Sequence, residues 1–492
     1  MFPYKTSISL DKKLKEPLYL QLSNQFINLI RDGRLATGTK LIGTRQLAEV
    51  LEIHRKTVVA SYEELALQGW VESVPKKGTF VNTDLPVIQR QDFVDTAYES
   101  SQVTSGFSFY ASSVLEHKLT QKKEGVMYLN DGTSDGRLTP LDEIARTYRR
   151  ITSRKSTYHH LDYGSTYGND TLRAVLANYL NQSRGLKTAK ENILITRGSQ
   201  MGMWLSSQLL LKLKDVIVVG ETNYASADLT FMNTGAILKR VRVDQCGLIT
   251  DDLERICQKE TIRAVYVTSH HHHPTTVTLS AQRRIHLLQL SRTYNFAIIE
   301  DDYDYDFNYN HAPILPLASH DSGGNVIYVG SVCKTVAPVF RIGYLIASKD
   351  FVDEAAKLRG YVDRQGDALL ELTFADFVKS GDLDRHIRKV MKVYQQRRDL
   401  FCKLLKDELG DYFSFEIPKG GMAIWVTLNN KYSWKKVQEV GKEYQIAIGD
   451  YMRYDMAETH HNAMRIGFAS YNEEEIYELI KRLKQTMLSI TN

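Results

Sequence analysis

The sequence predicts a multi-domain protein. A small N-terminal winged helix-turn-helix of α+β type comes first, then a large α/β domain with a small C-terminal α/β subdomain. Three observations predict this. At 492 residues the chain is too long for one ordinary core. Residues 17–82 show three helical patterns followed by a hairpin signal. From about residue 126, short β-branched strands alternate with helical stretches, the pattern of a mostly parallel sheet. The boundaries read as 15–82 for the first domain, 83–125 for a linker and 126–492 for the second, with its subdomain at about 380–492.

The first domain opens with Leu18, Leu22, Phe26 and Leu29/Ile30 at near-helical spacing. Thr44 reads as the N-cap of a second helix, in which Leu47, Val50 and Leu51 face a core. Glu52-Ile53-His54 form a tight turn into a third helix near Arg55, whose buried stripe is Val58, Tyr62 and Leu65. Arg55, Lys56, Thr57 and Ser61 are placed on its other side, where a helix-turn-helix meets the major groove. The hairpin after Gly69-Trp70 carries Lys76 and Lys77 in its turn, suited to phosphates. A small helical interaction domain with a solvated basic face would show much of the same pattern.

Composition agrees with a soluble globular protein, at 43% apolar and 25% charged residues. Residues 1–82 hold 12 Lys and Arg against 8 Asp and Glu, so most of the net charge of +5 lies in the first sixth of the chain. Such a bias fits a DNA-facing module. Cys246, Cys257, Cys333 and Cys402 form no CxxC pair, which speaks against a disulfide framework or a thiolate zinc site. Residues 1–20 lack a basic start with an apolar core, and no run is long enough for a bilayer. The expected location is the cytoplasm, with no membrane partner. Residues 83–125 have no sustained period and read as a linker, part flexible and part docked through Phe107, Phe109 and Tyr110.

In the second domain the candidate strands are 193–196, 216–219, 264–268, 297–300 and 326–329. Ligands of such sheets bind off the carboxyl ends of the strands, and the unusual residues gather there. Lys334 follows an apolar strand, with Ser331 before it and Arg341 seven residues on. A lone lysine is ordinarily a surface charge. Here it is an amine for a Schiff base, with Ser331 and Arg341 placed for a phosphate. Asp301 ends another strand and suits a protonated pyridine nitrogen, and Tyr303 suits the ring oxygen. A solvated acidic loop is the plainer reading of Asp301, Asp302, Asp304 and Asp306. Gly198, Ser199 and Gln200 open a helix whose N-terminus would hold the phosphate. Tyr224 could stack on the ring or simply pack. His270–His273 are consecutive, which favours a loop beside the site over a metal cluster. Arg465, inside an apolar run, needs an anion, and a substrate carboxylate suits its planar fork.

The stretch from Pro17 to Val81 resembles a GntR-type winged helix-turn-helix. Gly43 stands where that family often has a serine, and Arg45 is kept as a DNA contact. From about 128 onward, "YGSTYGNDTLRAVLANYL", "TRGSQ", "TSHHHHPTT", "IIEDDYDYDF", "VIYVGSVCKTVAPVFRIGYL", "DRHIRKV" and "MRIGFA" resemble the fold-type-I aminotransferases. The combination is similar to the MocR-type regulators. Two departures stand out: Thr276 replaces the usual glycine of the histidine loop, and Cys333 the serine before the lysine.

The resemblance implies pyridoxal 5'-phosphate as cofactor, with Lys334 as its internal-aldimine lysine and Asp301 opposite the pyridine nitrogen. Tyr303 would contact the ring oxygen, Tyr224 would stack, Ser331 and Arg341 would bind phosphate, and Arg465 would take the effector's carboxylate. It further implies a homodimer, often domain-swapped, on a double-stranded DNA operator, hence association with the nucleoid. The function expected is transcription regulation in response to a small amino compound that forms an external aldimine. The alternatives are an active aminotransferase with an accessory DNA-binding domain, or a large domain that serves only to dimerise.

Overall fold

The computed structural model describes residues 2–14, 16–85, 107–110, 123–309, 314–455 and 460–491. They divide into two units, Met1–Tyr110 and Ala111–Asn492.

In the first unit, Leu22, Phe26, Leu29 and Ile30 recur every three to four residues and form one buried stripe on α1 (Leu18–Arg31). It packs with Leu47 of α2 (Thr44–Leu51) and with Val58, Tyr62 and Leu65 of α3 (Arg55–Leu67). A hairpin of β1 (Val71–Val74) and β2 (Gly78–Val81) adds Val71 and Val81 to the same core. Tyr4 and Ile8 are buried in it too, so the unit begins ahead of residue 15. Thr44 is the first helical residue of α2 rather than its cap; extended Gly43 precedes it without a side-chain bond. Glu52 ends α2 in the left-handed region at φ 55°. His54 then caps α3, its Nδ1 accepting from the Lys56 amide at 3.1 Å.

Phe107, Phe109 and Tyr110 are exposed and not docked. The rest of the expected linker from 86 to 122 lies outside the described residues.

The second unit is built on a seven-stranded sheet. Its strands are β3 (Ile193–Thr196), β4 (Val216–Gly220), β5 (Ile237–Val241), β6 (Ala264–Val267), β7 (Ala297–Asp302), β8 (Val326–Ser331) and β9 (Gly343–Ile346). They lie in the order β3-β9-β8-β7-β6-β4-β5. Pairs from β8 across to β5 are parallel, and β9 runs antiparallel to both β8 and β3. All strands except β9 therefore present their carboxyl ends at one edge. All five strands expected from the sequence are present; β5 and β9 are additional.

Strands β3, β4, β6 and β9 are buried throughout, because both faces of the sheet are covered. Ile193 and Ile195 join a core with Leu172, Leu176 and Leu180 of α4 (Asp170–Arg184). Leu194 faces the opposite way, with Met203 and Leu205 of α5 (Ser199–Leu210), as strand alternation requires. Toward the C-terminus a smaller antiparallel sheet forms from β10 (Phe413–Phe415), β11 (Ala423–Leu428) and β12 (Ala463–Gly467). It shares a core with α6 (Asp382–Leu409) and α7 (Glu473–Thr491). Leu129 belongs to that core as well, and Met127–Leu129 pair parallel with Ile446–Ile448. The start of the second unit is thus stitched to its end. Among the described residues, no helix is long and apolar enough to cross a membrane.

Candidate cofactor site

The carboxyl ends of the central strands open into a cavity of about 280 Å³. Ser199, Gln200, Tyr224, Asp301, Tyr303, Ser331, Lys334 and Arg341 line it, as do Asp131, Thr133, Tyr266, Thr268, His273, Cys333 and Pro338. One strand order thus brings residues from five separate loops into one chamber.

Lys334 is half-buried, and its ammonium donates to the carbonyl of Gly132. Burial lowers its pKa, which favours the neutral, nucleophilic amine. Asp301 is buried at the end of β7. Its Oδ2 accepts from the Tyr266 hydroxyl at 2.8 Å, and its Oδ1 has no partner. The other carboxylates of that run do not form a solvated loop. Asp302 accepts from the Tyr328 hydroxyl, Asp304 pairs with His271 at 2.8 Å, and Asp306 with Arg184 at 3.2 Å. Of the four, Asp301 alone lines the cavity.

Gly198 precedes α5 at φ 82°, a conformation that favours glycine. A Cβ there would stand 2.8 Å from Arg341 Nη2, so the missing side chain is what admits the guanidinium. Arg341 Nη2 donates to Arg197 O at 2.6 Å. Ser331 Oγ accepts from the Cys333 amide at 3.0 Å. With Ser199 at the start of α5, these groups form an anion cradle. The Tyr224 ring meets the His273 ring edge to face, centroids 5.0 Å apart.

Three expectations change in detail. The Tyr303 hydroxyl proton is committed to the carbonyl of His271 at 2.7 Å rather than free for a ring oxygen. Arg465 is fully buried and already has its anion: Asp131 Oδ1 lies 3.2 Å from its Nε. The four histidines diverge, with His270 on Ile314 O, His271 on Asp304, His272 on Thr275 and His273 on Asp131. Of these, only His273 lines the cavity.

Sequence reasoning missed Asp131, Thr133, Tyr266 and Thr268. Asp131 and Thr133 follow a three-residue strand that pairs with Ile446–Ile448, a distant partner no local pattern reveals. Tyr266 had a signal: it sits inside an apolar strand, where a hydroxyl needs a partner.

In the first unit, Arg45, Arg55, Lys56, Lys76 and Lys77 are exposed and Thr57 is half-buried. Arg55, Lys56 and Thr57 open α3, and the two lysines sit in the β1–β2 turn. Ser61 does not belong with them. It is fully buried, and its Oγ lies 2.9 Å from Ser23 Oγ of α1. It falls three residues after Val58, which turns it onto the core face of α3.

Residues 124–483 match the family described as Aminotransferase class I and II. The chain belongs to that family. Residues 18–81 of this class I/II aminotransferase-family chain match the bacterial regulatory proteins of the gntR family. Together the two matches give the make-up of a MocR-type regulator. The chain is 26% identical over 443 residues to the probable rhizopine catabolism regulatory protein MocR of Rhizobium meliloti, covering 88% of this chain and 87% of that one. To the HTH-type transcriptional regulator TauR of Rhodobacter capsulatus it is 25% identical, covering 93% and 94%. Among solved structures it is similar to the kynurenine aminotransferase of Pyrococcus horikoshii in complex with PMP, at 26% identity and a TM-score of 0.72, covering 78% of this chain and 98% of that one.

The cofactor of this family fold is pyridoxal 5'-phosphate. The cavity fits it on its own terms. The unpartnered Asp301 Oδ1 is a buried acceptor awaiting a donor, the cradle at Gly198 is kept open by the absent Cβ, and Lys334 supplies the amine.

Burial pushes the Asp301 carboxyl up to about 7, against the lowering effect of the Tyr266 hydrogen bond. A carboxyl raised above its unfolded value makes the cofactor-free fold lose stability as pH rises from about 4 toward 7. Asp301→Asn removes that contribution. The melting temperature of the cofactor-free variant is expected to fall less than wild type between about pH 5 and pH 8. Equal falls would show that Asp301 titrates normally.

Proposed function

We propose that this chain is a DNA-binding transcription regulator that works with pyridoxal 5'-phosphate and answers to a small amino compound. One observation carries the reading. A gntR-family segment with an exposed basic helix start shares a polypeptide with a cavity holding an amine, a buried carboxylate with one oxygen unpartnered, and an anion cradle.

When bound, the cofactor supplies an aldehyde that condenses reversibly with amines and a ring that draws electrons. The residues then divide the work. Lys334 would hold the cofactor through its amine, the group that an incoming amine would have to replace. Asp301 would accept a hydrogen bond from the protonated ring nitrogen at its unpartnered oxygen and so keep that proton in place. Ser199, the α5 start with Gly198 and Gln200, Ser331 and Arg341 would bind the phosphate. Tyr224 would cover one ring face, and Tyr303 would act near the ring oxygen once its bond to His271 breaks. On the DNA side, Arg55, Lys56 and Thr57 would read base edges while Arg45, Lys76 and Lys77 hold phosphates. A homodimer, domain-swapped, would pair two such units on half-sites in the operator, at the nucleoid in the cytoplasm. Amine binding would shift the balance between two arrangements of the dimer and so its hold on DNA.

A second reading, an active aminotransferase, is favoured by the complete set of Lys334, Asp301 and Arg341 around one cavity. One experiment separates the two. The cofactor-loaded protein is titrated with a panel of amino compounds, following the visible spectrum and affinity for duplexes selected from a random pool. A band that shifts and persists, with a change in DNA affinity, is the expected result. Bleaching to the amine form of the cofactor with release of a keto product supports the enzyme. A spectrum and DNA affinity that answer to no amine overturn the sensor.

A further inference from the structure

Asp131 occupies Arg465, the buried guanidinium read in the sequence as the partner of an amino acid's carboxylate. It lines the cavity together with Lys334, and the next residue, Gly132, holds the lysine amine through its carbonyl. The carboxylate is also fully engaged. Oδ1 lies 3.2 Å from Arg465 Nε and 3.3 Å from Tyr454 Oη. Oδ2 lies 3.1 Å from Arg453 Nη2 and 3.0 Å from His273 Nε2. Arg465 spends its other nitrogens on Pro274 O at 3.1 Å and Tyr303 Oη at 3.3 Å. Burial raises the Asp131 pKa, but His273, Arg465 and Arg453 outweigh it and hold the carboxyl well below the usual range. The seat thus contains a permanent anion at every physiological pH.

We propose that Asp131 is a built-in occupant of the carboxylate seat, and that the pocket selects primary amines carrying no carboxylate close to the reacting nitrogen. The proposal rests on the sensor reading above and names its ligand class. An α-amino acid would bring a second carboxylate onto a buried guanidinium that already holds one. The two anions would lie within a few ångströms of each other, in a walled site where screening by solvent and salt is weak. Displacing Asp131 would instead leave a buried charge to find new partners. A neutral tail on the amine meets neither cost.

The test uses the cofactor-loaded full chain and two matched pairs: ethanolamine with L-serine, and isobutylamine with L-valine. Dissociation constants are read from the visible band. Each wild-type amine is expected to bind at least about tenfold more tightly than its amino acid, the scale of one charged hydrogen bond. D131N keeps the shape and removes the charge, so L-serine and L-valine should gain about tenfold in it. A preference ratio that D131N leaves unmoved overturns the proposal, as does a wild-type protein that binds both members of each pair alike; the sensor reading survives either result. The wild-type ratio needs no variant, so a misfolded D131N leaves the decision with it. A band that forms with pyridoxal phosphate but answers none of the four compounds in either protein overturns the sensor reading and the proposal with it.

Discussion

Lys334→Ala is expected to lose the visible band of lysine-bound cofactor and with it every amine-dependent change in DNA affinity. Among the residues lining the cavity, Lys334 carries the one primary amine, so no neighbour substitutes for it. Burial lowers its pKa, which favours the neutral amine. The anion cradle at Gly198, Ser331 and Arg341 is untouched by the change, so residual noncovalent binding of pyridoxal phosphate remains. Retention through gel filtration should nevertheless fall at least about a hundredfold, because the covalent link is gone. The measurement is absorbance and bound phosphate after desalting. A variant that keeps the band would move the reactive amine elsewhere and dissolve the site as drawn.

The other large effect is expected at the opposite end of the chain. Arg55→Ala combined with Lys56→Ala should weaken operator binding by about tenfold to a thousandfold and relax its sequence preference. Both side chains are exposed in the first turn of α3, whose position is fixed from behind by Val58, Tyr62 and Leu65. Stability should therefore change by less than about 0.5 kcal/mol, as for surface substitutions elsewhere. Fluorescence anisotropy on operator and scrambled duplexes, with a thermal melt alongside, checks both statements. Unchanged affinity at matched stability would mean that another face of the unit meets DNA.

Much of this was legible beforehand because it rests on local rules. The stripes of α1 and α3, the turn at Glu52 and the five core strands follow from spacing alone. Lys334, Asp301, Ser331 and Arg341 were legible because parallel strands deliver their loop residues to one edge. What stayed hidden needs long-range information. β5 carries Lys239 and Arg240 on the sheet edge and so looks polar. The boundary at 15 missed Tyr4 and Ile8, whose burial depends on helices yet to come in the chain. Asp131 was invisible because its partners lie 142 and 334 residues away in sequence. Ser61 is different: helical spacing from Val58 already placed it inside, and its polarity drew attention to the wrong face.

The carboxyl end of β7 also bears on how the molecule assembles. Its carboxylates find partners in Arg184 from α4, Tyr266 from β6, His271 from the loop beyond it and Tyr328 from β8, each at one oxygen or more. One of these contacts spans 122 residues. A growing chain that has reached Asp306 but not Tyr328 holds four crowded acids with an essential hydroxyl still missing. Until β8 is made, Asp302 lacks its Tyr328 partner, and pairings between stretches so far apart are of the kind that form slowly. Fragments of the second unit ending before β8 should inherit the acids without the chamber that makes use of them.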